Sequence, residues 1–199
     1  EVIKLLGYEI IYADVDAYIF NITLEEIKKV YTSEVKAIIV VHLFGQSCEM
    51  DAIQDFAQKN RLFLIEDNAQ SLTTEKNTTR NSIITTSFFP SKNLGAYGDG
   101  GAIMTNDDAL AKKIRTIANH GQSTKYYHDL VGVNSRLDTI QAAILNVKLK
   151  YLDEFISKRQ QAASFYDEQL KDISPIQIPK RAGFSAHTFH QYTLKIEPK

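Results

Sequence analysis

Residues 36–67 read KAIIVVHLFGQSCEMDAIQDFAQKNRLFLIED, and this stretch restricts the fold more than any other part of the chain. KAIIVVHL is β-branched and apolar with little alternation, as expected of a strand covered on both faces. MDAIQDFAQKN then places Met50, Ile53, Phe56 and Ala57 at helical spacing, and RLFLIED is a second apolar strand. Strand, helix and strand at this pitch predict parallel neighbours in an α/β sheet.

The flanking sequence extends the pattern. EIIYADV, residues 9–15, reads as a strand, and Thr23 with Glu26 makes a capping box that opens the helix TLEEIKKVY. IITTSFF and GAIMT read as two strands around a glycine-rich turn, and DDALAKKIRTIANHG as a helix with an Asp start and a Gly stop. From about Leu137 to Leu170 the chain lacks Pro and Gly, which predicts one long helix, straight or bent. SPIQIPKRAG ends it, and HQYTLKI reads as a strand opening a second domain. The expected architecture is α/β, with a mostly parallel central sheet, flanking helices and a small, incomplete α+β second domain. Residues 1–150 are read as the large domain. Residues 151–199 are read as a long-helix connection and the start of the small one.

The formal charge of −1 gives no electrostatic footprint for nucleic acid, and KK at 28–29 and KKIR at 112–115 read as solvated helix faces. Cys48 is the single cysteine, so no internal disulfide can form, in keeping with a reducing, cytoplasmic compartment. Apolar runs such as Ala37–Val41 are far below the ~20 residues of a membrane span. EVIKLLGYEI has neither the basic flank nor the apolar core of a signal peptide. It begins in mid-pattern without an initiator Met, as a piece of a longer protein would.

Ligands of parallel α/β sheets collect beyond the carboxyl ends of the strands, where Asp67 stands. The alternative reading is that Glu66 or Asp67 caps a turn. Beyond IITTSFF, Lys92 lies in SFFPSKNLGAYGDGG, which holds four of the nine glycines. A lysine amine becomes a nucleophile toward a carbonyl when desolvation or neighbouring charge lowers its pKa. Asp67 and Lys92 together supply the acidic partner and the lysine that pyridoxal phosphate chemistry requires. The alternatives are a solvated loop lysine and a plain hairpin turning at Asp99-Gly100. The glycines follow the lysine, which excludes a P-loop, and their spacing excludes the dinucleotide fingerprint. His42 reads as a hydrogen-bonded structural residue. His120, His128, His187 and His190 lack metal-ligand spacing, so no metal is expected. Tyr126 and Tyr127 read as loop packing.

EDNAQS, SFFPSKNLGAYGDGGAIMTND and GVNSRLDTIQAAIL closely resemble the DegT/DnrJ/StrS family of sugar aminotransferases, pyridoxal phosphate enzymes of fold type I. The similarity runs along essentially the whole chain and also takes in YADVD, FNI and VVHLFGQ. SFFPSK with YGDGG looks most like the branch that aminates 3-keto sugars on UDP, the UDP-2-acetamido-2-deoxy-3-oxo-glucuronate aminotransferases of bacterial O-antigen and lipopolysaccharide synthesis. The resemblance implies Lys92 as the Schiff-base lysine and Asp67 against the pyridine nitrogen. It implies Gln70 beside the cofactor ring, Ser87 at the phosphate, and Asn134 at the phosphate of a neighbouring subunit in a homodimer with shared sites. Arg136 is implied near a substrate acid or phosphate, with a structural ion pair as its alternative, and His190 near the substrate. L-glutamate and a keto-sugar nucleotide are the implied substrates. Family members begin earlier and continue further, and carry a Gly-containing hairpin where this chain has TTEKNTTRN; Asn68 replaces a common Ala. A truncated, non-catalytic member that keeps the fold and dimer surface is the alternative. Lysine rather than histidine at position 92 argues against the related sugar dehydratases.

Overall fold

In the computed structural model, which describes residues 2–73 and 82–196, the chain opens with one helical turn, Val2–Leu5 (α1), and the helix Leu24–Val30 (α2). The strand Ala37–Val41 (β1), the helix Met50–Lys59 (α3) and the strand Phe63–Asp67 (β2) follow as the expected unit. Ser82–Ser87 (β3) pairs in parallel with β2, and Gly101–Met104 (β4) closes the sheet antiparallel to β3, in the order β1-β2-β3-β4. β4 is antiparallel because the loop before it turns straight back; a parallel partner needs a crossover. The TTEKNTTRN segment, apart from Thr73, lies outside the described residues.

The later elements are the helix Asp108–Ala118 (α4), a hairpin of Gln122–Thr124 (β5) and Tyr127–His128 (β6), and the helices Thr139–Leu149 (α5) and Leu152–Leu170 (α6). A short antiparallel pair, Ile176–Gln177 (β7) and Lys195–Ile196 (β8), comes last. No described helix is long and apolar enough to cross a membrane.

Local chemistry explains the starts and stops. Thr23 Oγ1 accepts from Glu26 N at 3.3 Å, but the Glu26 carboxylate accepts from Lys29 rather than reaching back, so the capping box is half made. Asp107 caps α4 by accepting from Leu110 N at 3.0 Å. That helix ends at Ala118, before the expected glycine, with Asn119 N bonded back to Arg115 O and Thr116 O. The long helix is interrupted at Lys150–Tyr151, where Tyr151 N closes a tighter turn onto Lys148 O. The break lets Leu145 and Leu152 enter one cluster with Leu94 and Ala96. The strand expected at 9–15 does not form: only Val15 bridges, to Ile22, while Ile11 and Tyr12 stay exposed with no neighbouring strand among the described residues.

One face of the sheet carries the core. Ile38 and Val40 of β1 and Leu64 of β2 pack with Ile27 of α2 and with Ile53 and Ala57 of α3. Among the described residues nothing covers the other face: Ile39, Val41, Phe63 and Ile103 are all exposed, Phe63 at 72%. β1 therefore alternates in burial although its sequence does not, and within the described residues only one of the two expected faces is covered. Both α2 and α3 lie on the same side.

An open apolar sheet face attracts hydrophobic dyes. The 199-residue chain should bind such a dye strongly, and the double substitution Ile39→Glu, Phe63→Lys should cut the fluorescence severalfold. The urea midpoint should move little, since exposed positions contribute about 0.5 kcal/mol or less.

Candidate active site

Consecutive residues of a strand face opposite ways, and at the end of β2 this separates two carboxylates. Glu66 points to the helix-covered face and is 1% exposed, with His42 Nε2 at 3.3 Å from its Oε2. His42 Nδ1 accepts from Cys48 N at 3.1 Å, so the proton of a neutral ring sits on Nε2 and is donated to Glu66. His42 is thus the hydrogen-bonded structural residue that was expected. Burial, reinforced by Glu66, pushes the Cys48 thiol up to about 12.

Asp67 points to the other face, in register with Val41 and Thr85, while Ser87 lies two residues further along the same face of β3. The Asp67 Oδ1 atom accepts from Ala69 N at 3.0 Å, so it does brace the turn, the plainer of its two expected roles. It forms no ion pair among the described residues. Ser87 Oγ accepts from Phe89 N at 3.2 Å, which leaves its hydroxyl proton to donate. Lys92 follows in a loop closed by Lys92 N donating to Phe89 O and Ala96 N to Phe88 O. Among the described residues its ammonium makes no hydrogen bond or salt bridge. From outside, α5 braces the loop: Lys148 donates to Gly95 O and Gln141 Oε1 accepts from Tyr97 N.

Two further segments close over these strand ends. After β1, Phe44 and Gly45 take positive φ, and Phe44 N donates to Gln70 Oε1 at 2.6 Å. Residues 187–190 then cross this loop, with Thr188 N donating to Gly45 O at 2.7 Å. α6 holds the crossing segment from behind through Arg159 to Phe189 O and His190 O, and Gln160 to His187 O. The buried amides of Asn21 and Gln46 tie in the chain on either side. Asn21 Nδ2 donates to Gln46 O and its Oδ1 accepts from Leu43 N, while Gln46 Oε1 accepts from Ala182 N.

Asp67, Gln70, Ser87, Lys92 and His190 therefore gather at one end of the sheet. Burial first, and then the charges of Lys92 and Arg159, lower the His190 pKa, and its Nδ1 is buried without a partner among the described residues. Asn134 and Arg136 do not join them. Asn134 bridges Asn119, Ser135 N donates to Ala118 O, and both Asn134 and Arg136 are exposed beside the end of α4. Tyr126 and Tyr127 are 77% and 70% exposed, so the expected loop packing is absent. Among the described residues no three His, Cys, Asp or Glu side chains are placed to hold a metal. Gly45, Asn93 and Thr188 escaped the sequence reading; their adjacency to Phe44, Lys92 and the HQY stretch was the only signal.

The donor set fits a ligand with an aldehyde for Lys92, an anion for Ser87 and a protonated ring nitrogen for Asp67. Comparison with known proteins bears on the chain as a whole. Residues 1–199 match the model of the DegT/DnrJ/EryC1/StrS aminotransferase family. The chain is 44% identical over 201 residues to a UDP-2-acetamido-2-deoxy-3-oxo-D-glucuronate aminotransferase of Pseudomonas aeruginosa, covering 99% of this chain and 56% of that protein. It is also 44% identical over 195 residues to a pleiotropic regulatory protein of Geobacillus stearothermophilus, covering 95% and 52%. The crystal structure of NtdA from Bacillus subtilis with bound cofactor PMP superposes with a TM-score of 0.84 at 32% identity, covering 94% of this chain and 44% of that one. The chain thus spans about half the length of the curated relatives it matches.

Two outcomes test the crossing segment. At Gly45, with φ +103°, a Cβ would lie 2.5 Å from Thr188 Oγ1 and 2.8 Å from His190 N. Gly45→Ala should therefore destabilise the protein by about 2 kcal/mol, read from the urea midpoint. His187 accepts from Phe189 N at 3.0 Å, and burial followed by the Arg181 charge brings its pKa down from 6.5 to about 4, against the opposing pull of Asp167. Between those values the unfolded state binds the extra proton, so stability is complete above 6.5 and falls as pH drops toward 4. Urea midpoints against pH should show this slope, and His187→Gln should reduce it, leaving the part that the lowered pKa of His190 contributes.

Proposed function

The chain belongs to the DegT/DnrJ/EryC1/StrS aminotransferase family, and on that premise we propose that the protein transfers an amino group, with pyridoxal phosphate, from L-glutamate to a keto-sugar nucleotide. The observation that carries this reading is the placement of Asp67 as the last residue of β2 and Lys92 just past the end of the parallel β3, with no salt bridge to either among the described residues. When bound, pyridoxal phosphate supplies an aldehyde and a protonated ring that accepts electron density.

Each residue then has a definite task. Lys92 Nζ would hold the aldehyde, and its amine would serve as the group that takes and holds the proton from the donor's α-carbon. The Asp67 carboxylate, held by its turn bond from Ala69 N, would keep the proton on the ring nitrogen through a charge-assisted contact. Gln70, held through Phe44 N, would flank the ring, and the Ser87 hydroxyl would donate to the phosphate. Asn134, on its exposed segment, serves the phosphate end of a second copy in a homodimer, and Arg136 and His190 meet the sugar nucleotide. Residues 1–150 form the cofactor-binding domain, and residues 151–199 the connection and the start of a smaller one. A UDP-linked 3-keto sugar is the preferred acceptor, supported by the Pseudomonas aeruginosa relative that acts on one. Such a substrate belongs to cytoplasmic steps of surface-polysaccharide synthesis.

Borohydride reduction of the protein with pyridoxal phosphate should fix the cofactor on the peptide containing Lys92, seen as a mass increase. Lys92→Ala should abolish both the adduct and turnover, and initial rates should follow ping-pong kinetics. A wild-type protein that traps no cofactor at Lys92 would overturn the reading.

A further inference from the structure

One hydroxyl joins the segments around Lys92. Thr188 Oγ1, on a residue 1% exposed, lies 3.2 Å from Gly45 O, 3.3 Å from Gln70 O and 2.9 Å from Asn93 Nδ2. A hydroxyl has one proton; with it on one of the two carbonyls, Thr188 Oγ1 accepts from Asn93 Nδ2. The loop after β1, the turn after β2, the lysine loop after β3 and the crossing segment thus meet at a single oxygen.

The positions of these partners in the chain give the junction its consequence. Asn93 directly follows Lys92, and Thr188 precedes His190 by two residues. The Thr188 N–H and α6 fix the backbone of the crossing segment, but only the Asn93–Thr188 contact joins that segment to the lysine loop among the hydrogen bonds described. Lys92 and Arg159 are the charges that bear on His190.

We propose that Asn93 and Thr188 are a positioning pair that sets the spacing between Lys92 and His190, so that His190 addresses the sugar acceptor while Lys92 handles the amine. The pair acts through its neighbours Lys92 and His190 rather than as a reacting group. The inference rests on the aminotransferase reading for the task of Lys92, but the spacing itself exists without cofactor.

The test therefore has two readouts. Thr188→Val keeps the shape and removes the hydroxyl; it should lower kcat about tenfold, with KM for both substrates within about twofold. Thr188→Ser should restore the rate. Without cofactor, the His190 ring proton, assigned by comparison with His190→Gln, should titrate below the ordinary histidine range in the wild type and in Thr188→Ser. It should move back toward that range in Thr188→Val. Asn93→Ala, which leaves the backbone bond of Thr188 in place, should move both readouts in the same direction and serves if Thr188→Val does not fold. A folded Thr188→Val or Asn93→Ala protein with unchanged kcat and unchanged His190 titration overturns the pairing. Absence of cofactor trapping at Lys92 would sink the aminotransferase reading alone, because the cofactor-free titration still decides the pairing.

Discussion

The pleat of β2 is the constraint on which the rest of this site depends. Since neighbouring side chains must leave a strand on opposite sides, Glu66 and Asp67 enter different environments though one bond separates their residues. Glu66 goes under the helices, where burying a carboxylate is costly without donors, and the His42 ring supplies one. His42 is itself fixed by Cys48 N at its other nitrogen, so the position of the loop after β1 follows from the solvation of Glu66. Asp67 emerges on the side with Thr85 and Ser87. A one-residue slip of β2 would exchange the two carboxylates and remove the site.

Around that strand end the structure is held by polar rather than apolar contacts. The two apolar clusters sit beneath the sheet and behind the lysine loop. Between them, Asn21, Gln46, Asn93 and Thr188 are buried and hydrogen-bonded across long sequence separations. Net of water, each such bond contributes only about 1 kcal/mol, but leaving a buried partner unmatched costs about 1–3 kcal/mol. The arrangement is correspondingly specific: wrong pairings of the loops strand buried amides and carbonyls. A purely apolar contact would tolerate sliding, and a site assembled from several loops does not.

Much of this was legible in the sequence, and the limits have physical causes. β1, α3 and β2 could be read because periodicity and apolar content agreed. The placement of Asp67 and Lys92 at neighbouring strand ends could be read because apolar runs mark where strands stop, and the candidates Gln70 and Ser87 came from family motifs rather than from local pattern. The strand expected at 9–15 failed because composition states a preference while a strand also needs a partner. The break at Lys150–Tyr151 carried no Pro or Gly to announce it; the burial of Leu152 decides it. Asn93 and Thr188 were silent because their meaning lies in a contact spanning 95 residues. No local pattern encodes such a contact.

The burial of Cys48 has a practical consequence. This chain's single thiol is 4% exposed, donates to Val41 O and is pushed up to about 12, so at neutral pH it is neither accessible nor ionised. Thiolate is the reactive form, and alkylating or spin-labelling reagents should therefore pass it by. One cysteine introduced on the segment 187–190 or on the lysine loop would then be the sole point of attachment within these 199 residues. The chain is already a clean background for distance measurements between the elements that enclose its site, without first removing a native residue from the core.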